Sequence, residues 1–207
     1  MLRLLGRASS INVRKVRWTC AEIGRPFERE DWGIGFRPTS DPAFLALNPN
    51  AQVPVIVDGE FVLWESNTIC RWLAAEARRT DLLPAAPRER ASVERWMDWQ
   101  LGDLNNAWRY AFMGLVRGSP KHQDPQAIAA SAAEWNRLMA LLDVQLLRTQ
   151  ACVAGDHFTL ADIVLGLSTQ RWLATPIERP ALPSLQAWFE RVAARSAFAA
   201  QDLASFA

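Results

Sequence analysis

The chain has few of the residues that most often announce a function. Cysteine is scarce: Cys20, Cys70 and Cys152 are the only three in 207 residues. They are odd in number, far apart and form no C-x-x-C, so neither a disulfide framework nor a zinc site is indicated. They read as small buried hydrophobes, and no metal is expected. An excess of charge is also missing, since 23 Lys and Arg against 22 Asp and Glu leave a formal net charge of +1. The basic residues are scattered, so neither nucleic acid nor an anionic membrane is expected as a partner. Long apolar runs are lacking. MLRLLGR turns polar too soon to supply the apolar core of a signal peptide, and no run approaches the roughly 18 to 20 residues that span a bilayer. A cytoplasmic location is expected. The two histidines, His122 and His157, fall in loop-like segments and are not candidates for catalysis. One tyrosine stands against ten tryptophans. Most of these lie on helical apolar stripes, and Trp96, Trp135 and Trp188 are expected in the core.

What is present falls into two halves of different character. MLRLL is a short strand candidate. From Asn12 to about Ile23, the residues Val13, Val16, Cys20 and Ile23 recur at helical spacing, closed by Gly24 and Pro26. FEREDW alternates like a strand, and a loop punctuated by Gly and Pro runs from Gly33 to Asn50. VPVIV and FVLW follow, separated by Asp58-Gly59-Glu60, a strong hairpin signal. A helix then starts at Ser66 and carries Ile69, Trp72 and Leu73. The order βαβ then ββα predicts a small mixed sheet with helices packed on it.

TDLLPAAP, Thr80 to Pro87, ends this half. Beyond it the pattern is helical. Val93, Trp96, Met97, Leu101, Leu104, Trp108, Ala111 and Leu115 trace one stripe of a long helix, and Trp135, Leu138, Met139, Leu142 and Leu146 trace another. FTLAD supplies a helix start with Thr159 as N-cap, Asp162 at N3 and Phe158 placed to staple against Ile163. A last helix follows Pro183. The expected division is 1–80, a linker at 81–87, and an all-helical 88–207.

One segment resists a purely structural account. In NPNAQVPVIVDG a proline, Pro54, sits at the mouth of a strand, where it removes a backbone donor. Together with VPVIVDGEFVLWESNTICRWLA, with GRASSINVRKVRW before it and FTLADI behind, the chain resembles the soluble glutathione transferases, in particular the serine-type bacterial members, over nearly its whole length. The resemblance implies an α/β thioredoxin-like N-terminal domain that binds glutathione, and an all-α C-terminal helical domain that forms a hydrophobic substrate pocket. It also implies a cis Val53–Pro54 bond, with the main chain of Val53 pairing with the cysteinyl unit of glutathione as an added strand. Glu65 and Ser66 resemble the family's site for the γ-glutamyl end, although Ser66 is equally a helix N-cap. Gln52 stands where many relatives have a lysine for the glycyl carboxylate, next to Ala51 where they have glycine. It still donates a hydrogen bond but brings no charge.

The same resemblance places Ser10 where the family has its serine or cysteine, at the head of the helix that opens SINVRKV. Its own local reading is again an N-cap, and Ser9 and Asn12 are adjacent alternatives. A cysteine at position 10 would favour mixed disulfides and thiol transfer. A serine can only stabilise the glutathione thiolate, which implies conjugation to a hydrophobic electrophile. Trp108, Arg109, Tyr110 and Met113, in WRYAFMG, are candidate lining of the electrophile pocket. Asp103 resembles a residue that reaches across a homodimer interface, and a solvated helix face explains it equally well. Two other outcomes stay open: a dehalogenase, lyase or isomerase using the same thiolate, and a catalytically silent binding protein on the same fold.

Overall fold

Leu2 and Leu4 point to one face of strand β1 (Leu2–Leu5) and Leu5 to the other, and all three are buried. In the computed structural model, which describes residues 1–199, this strand is the centre of the first of two units. That unit holds Met1–Leu83 together with the described residues from Ser196 on, and the second holds Pro84–Arg195. Helix α1 (Ile11–Ile23) follows β1 and ends on Gly24, whose φ of 66° is the left-handed conformation glycine accepts without strain. Strand β2 (Phe27–Glu30) pairs parallel with β1. Within the expected loop 33–50 there is a one-turn helix, α2 (Pro42–Leu45), capped by the Asp41 side chain accepting from Ala43 N–H at 2.8 Å. Strands β3 (Val55–Asp58) and β4 (Phe61–Trp64) form the expected hairpin, turning on Gly59 at φ 61° and Glu60.

The sheet order is β2-β1-β3-β4, with β3 antiparallel to both neighbours. Helix α3 (Ser66–Glu76) packs against α1. Leu5, Val55 and Val57 on one sheet face bury against Trp32 and Phe44. The short α9 (Ser196–Ala199), which the sequence division leaves in 88–207, returns to this unit, with Phe198 edge-on to Trp18 at 4.8 Å between centroids. Residues 200–207 of that range lie outside the described residues.

Among its described residues, the regular elements of the second unit are all helices. A long helix runs as α4 (Pro87–Trp99), a π-helical segment (Gln100–Leu104) and α5 (Asn105–Leu115). The π segment interrupts the expected stripe. Leu101 is 44% exposed, Leu115 is 39% exposed, and Gln100 takes the inward position at 1%. Helices α6 (Pro125–Thr149), α7 (Leu160–Ala174) and α8 (Pro183–Ala193) complete the unit. Nearly every side of α7 is buried, so it is the core helix of this unit. Its start is fixed by Asp162. That carboxylate accepts from the N–H groups of Thr159 and Val153 and from Trp188 Nε1, each at 2.9 Å, and from the Thr159 hydroxyl at 3.1 Å. This is the capping box expected from FTLAD, and it also anchors α8 through Trp188. Trp96, Trp135 and Trp188 are all buried, as expected. None of the helices in the described residues is long and apolar enough to cross a membrane.

Candidate functional site

The register of the sheet decides where the candidate residues meet. Leu5, at the end of β1, pairs with Val55, at the start of β3, and Val55 pairs with Trp64, at the end of β4. One end of the sheet therefore emits three segments: the turn from Gly6 to Ser10, the approach through Gln52, Val53 and Pro54, and the step from Glu65 into α3. Ser9, Ser10, Asn12, Gln52, Val53, Pro54, Glu65 and Ser66 thus all sit at this end.

Each segment is held by a specific local device. Gly6 lies so close to its neighbours that an added Cβ would stand 2.5 Å from Val13 Cγ2 and 3.0 Å from Val53 Cβ. Only glycine lets the first segment pass this near to Val53. Arg14, buried in α1, donates from Nε to Ala8 O at 3.0 Å and steadies the turn before Ser10. Ser10 occupies the N-cap position of α1, yet its hydroxyl makes no cap hydrogen bond. Ser9 lies in the preceding turn, and Asn12 is half-buried at the second helical position.

The second segment is organised by Asn48, which is almost wholly buried. Its Nδ2 donates to Gln52 O at 2.8 Å, and its Oδ1 accepts from Asn50 N–H at 3.0 Å. The Gln52 side chain itself is exposed, and the Val53–Pro54 peptide bond is cis.

At the third segment the structure corrects a sequence expectation. Ser66 is not the N-cap of α3 but its first helical residue; the cap position belongs to Glu65, at φ 74° and ψ 106°, with no side-chain cap bond. A non-glycine residue held at such a positive φ costs about 1–3 kcal/mol, and such residues cluster at ligand sites. The first N–H groups of α3 have no intrahelical acceptor, and they carry the partial positive charge of a helix start.

Beneath this end lies a buried polar link that the sequence did not reveal. Lys15 Nζ donates to Asn67 Oδ1 at 3.1 Å, joining α1 to the second residue of α3, and both side chains are at 2% exposure or less. A charged residue one turn into an amphipathic helix reads as solvated face. Its only sequence signal is that Lys15 lies between Val13 and Val16, both of the apolar stripe.

The thiols are as inert as composition suggests. Cys20 and Cys70 are buried, and burial first of all pushes them up to about 12 and about 11. Cys152 is half-buried and is pushed up to about 12 by burial and then by the Asp162 charge. No protein thiol is therefore appreciably ionised near neutral pH.

In the second unit the four candidate pocket residues separate. Trp108 is half-buried and packs toward Trp135 of α6 and Arg171 of α7. Its indole N–H donates to Asn105 Oδ1 at 2.9 Å, its ring meets Phe112 edge-on at 5.4 Å, and the Arg171 guanidinium lies 4.2 Å over it. Arg109 and Met113, one helical turn apart, share another face with Tyr110, whose ring packs on His122 at 4.9 Å. Asp103 is exposed on the π segment. His122 Nδ1 is 2.8 Å from Ser119 Oγ, and exposed His157 is 2.7 Å from Asp156. A cleft of about 400 Å³ between α7 and α8 has none of the candidate residues in its lining.

Two family models match the chain: "Glutathione S-transferase, N-terminal domain" over residues 9–76 and "Glutathione S-transferase, C-terminal domain" over residues 106–196. The chain belongs to the glutathione S-transferase family. The transferase is 39% identical over 199 residues to glutathione S-transferase GstB of Escherichia coli K12, covering 95% of each chain. It is 36% identical over 208 residues to glutathione S-transferase 3 of Zea mays, covering 95% of this chain and 91% of the maize one. Among solved structures, the transferase is similar to the theta class glutathione S-transferase of the citrus canker pathogen Xanthomonas axonopodis pv. citri, solved with glutathione bound. The TM-score is 0.93 at 39% identity, with 100% of this chain and 99% of the other covered. The mixed sheet with its helices is the thioredoxin-like half of that fold, and the helical unit is its second half.

Proposed function

We propose that this transferase binds glutathione at the end of its sheet and activates the thiol as a thiolate that attacks a hydrophobic electrophile. The observation that carries the reading is the Ser10 hydroxyl, which stands at a helix start without serving as its cap, at the same sheet end as Val53 and Ser66. In this reading Val53 offers its main chain to the cysteinyl unit as an extra strand edge. Glu65 takes the γ-glutamyl ammonium. Ser66, at the start of α3, takes its carboxylate. Gln52 hydrogen-bonds the glycyl end without supplying charge.

The chemistry requires a thiolate at neutral pH. A free thiol with a pKa of about 8.5 is only a few per cent ionised at pH 7, and lowering that value by two units takes about 2.7 kcal/mol of preferential stabilisation. One hydroxyl donor aided by the start of α1 is of that order. Ser9 and Asn12 lie beside Ser10, and Ser10 is preferred because it alone holds the cap position. The sulfur forms its bond to carbon as the carbon–X bond breaks, the thiol proton leaving with X as HX, so RX and glutathione give the thioether. No covalent enzyme intermediate is needed, because the protein's part is to position two reactants and polarise one. The three cysteines favour this over thiol transfer, since none is ionised enough to attack a disulfide.

Arg109, Tyr110 and Met113 line the electrophile side in this reading, and Asp103 reaches toward a second copy of the chain in a cytoplasmic homodimer. Neither a metal nor a nucleic acid takes part. Calorimetric titration with glutathione, followed by the ultraviolet absorbance of the bound thiolate against pH, tests the reading. Binding with a thiolate pKa well below the free value is expected. Lack of binding at millimolar glutathione would overturn it in favour of a silent binding protein.

A further inference from the structure

Helix α5 turns a row of small residues toward α6: Ala107, Ala111 and Gly114, all buried. The approach is tight, since a Cβ on Gly114 would collide with the His122 carbonyl oxygen and stand 3.1 Å from Ile128 Cδ1 of α6. Ser131 of α6 enters the same interface. Its Oγ donates to Ala107 O at 2.5 Å and accepts from Ala111 N–H at 3.0 Å. Ala107 C=O and Ala111 N–H are the two groups that close one ordinary turn of an α-helix. One hydroxyl from another helix therefore bridges a rung of the α5 ladder. The hydroxyl thereby ties this turn of α5 to α6. The π segment Gln100–Leu104 stands immediately upstream, so the stretch that follows takes its placement from this bridge as well as from its own winding.

The small residues and the bridge lie on one side of α5. Arg109 and Met113 lie on the other, at about 100° per residue round the helix, and Tyr110 lies between the two, beside Gly114 and with its ring on His122. We propose that Ser131 is a positioning residue for the electrophile: from behind, it sets the placement of Tyr110 and the Arg109–Met113 face and hence the bulk of the hydrophobic group admitted there. The inference rests on the reading above that this face lines the electrophile pocket.

The test uses the full chain and three probes, glutathione, S-methylglutathione and S-hexylglutathione, titrated calorimetrically into the wild type and Ser131→Ala. The alanine variant is expected to fold, because Ala107 C=O and Ala111 N–H are one turn apart in α5 and have each other as helical partners; far-ultraviolet circular dichroism checks this. Ser131→Thr keeps the hydroxyl and serves as the second variant. In Ser131→Ala the glutathione dissociation constant stays within about two-fold, while the ratio of the S-hexyl to the S-methyl constant moves by about five-fold or more, a difference of the size that pocket shape confers. Ser131→Thr keeps the ratio nearer to the wild type. An unmoved ratio in folded Ser131→Ala, with glutathione still bound, overturns the inference alone. If the wild type binds none of the three probes, the glutathione reading falls, and the inference falls with it.

Discussion

Lys15 and Asn67 meet inside the first unit, the ammonium donating to the amide oxygen at 3.1 Å with both side chains out of solvent. The pair ties α1, which carries Ser10, to α3, which carries Ser66. Removing an acceptor from a buried cation is more costly than deleting a surface contact. Asn67→Ala is therefore expected to destabilise the protein by about 1–3 kcal/mol, measured by urea unfolding. A loss within about 0.5 kcal/mol, the range of surface substitutions, would mean that the link carries no weight.

Ser10→Ala separates catalysis from capping. Because the hydroxyl makes no cap bond, stability should change by less than the about 0.5–2 kcal/mol that cap removal costs. Turnover should fall roughly 10 to 1000-fold with glutathione affinity nearly intact, as for loss of one donor to a developing anion. Steady-state kinetics beside a thermal melt gives both numbers. Unchanged turnover would shift attention to Ser9 and Asn12.

Glu65 sets up an opposition between stability and binding. Its φ of 74° is open to glycine at little cost. Glu65→Gly is expected to unfold at higher denaturant, by about 1 kcal/mol, while glutathione binds more weakly for want of the carboxylate. Equal affinity in the variant would remove Glu65 from the ammonium site.

The protein thiols should be slow to react. With Cys20 and Cys152 pushed up to about 12 and Cys70 to about 11, the thiolate fraction at pH 8 is far below that of a free cysteine. An aromatic disulfide reagent is expected to titrate none of them quickly in the native protein and all three in denaturant. If one responds, half-buried Cys152 should be first.

Much of this was legible in the sequence. Gly24 with Pro26 and the Asp58-Gly59 turn punctuate the first half strongly enough to give its elements, and Thr159 with Asp162 announces the start of α7. What escaped has common causes. Helix α2 is a single turn, too short to show a period. The π segment adds no residue type of its own, so Leu101 looked buried and Gln100 did not. Ser66 read as a cap because sequence does not reveal that Glu65 adopts a positive φ. Arg14, Lys15 and Asn48 are polar residues whose burial depends on partners distant in sequence or on a carbonyl, and a local pattern cannot show that.

The shared sheet end has a consequence for how this chain tolerates change. Leu5, Val55 and Trp64 stand on one rung, so a single residue gained or lost there would put one ligand-bearing turn out of step with the other two. The opposite end carries no such constraint. There the chain turns at Gly24–Pro26, ahead of Phe27 opposite Leu2, and at Gly59–Glu60, between paired Asp58 and Phe61. These two corners are where a lineage could lengthen the chain, or an engineer splice in a reporter peptide, without disturbing the three turns.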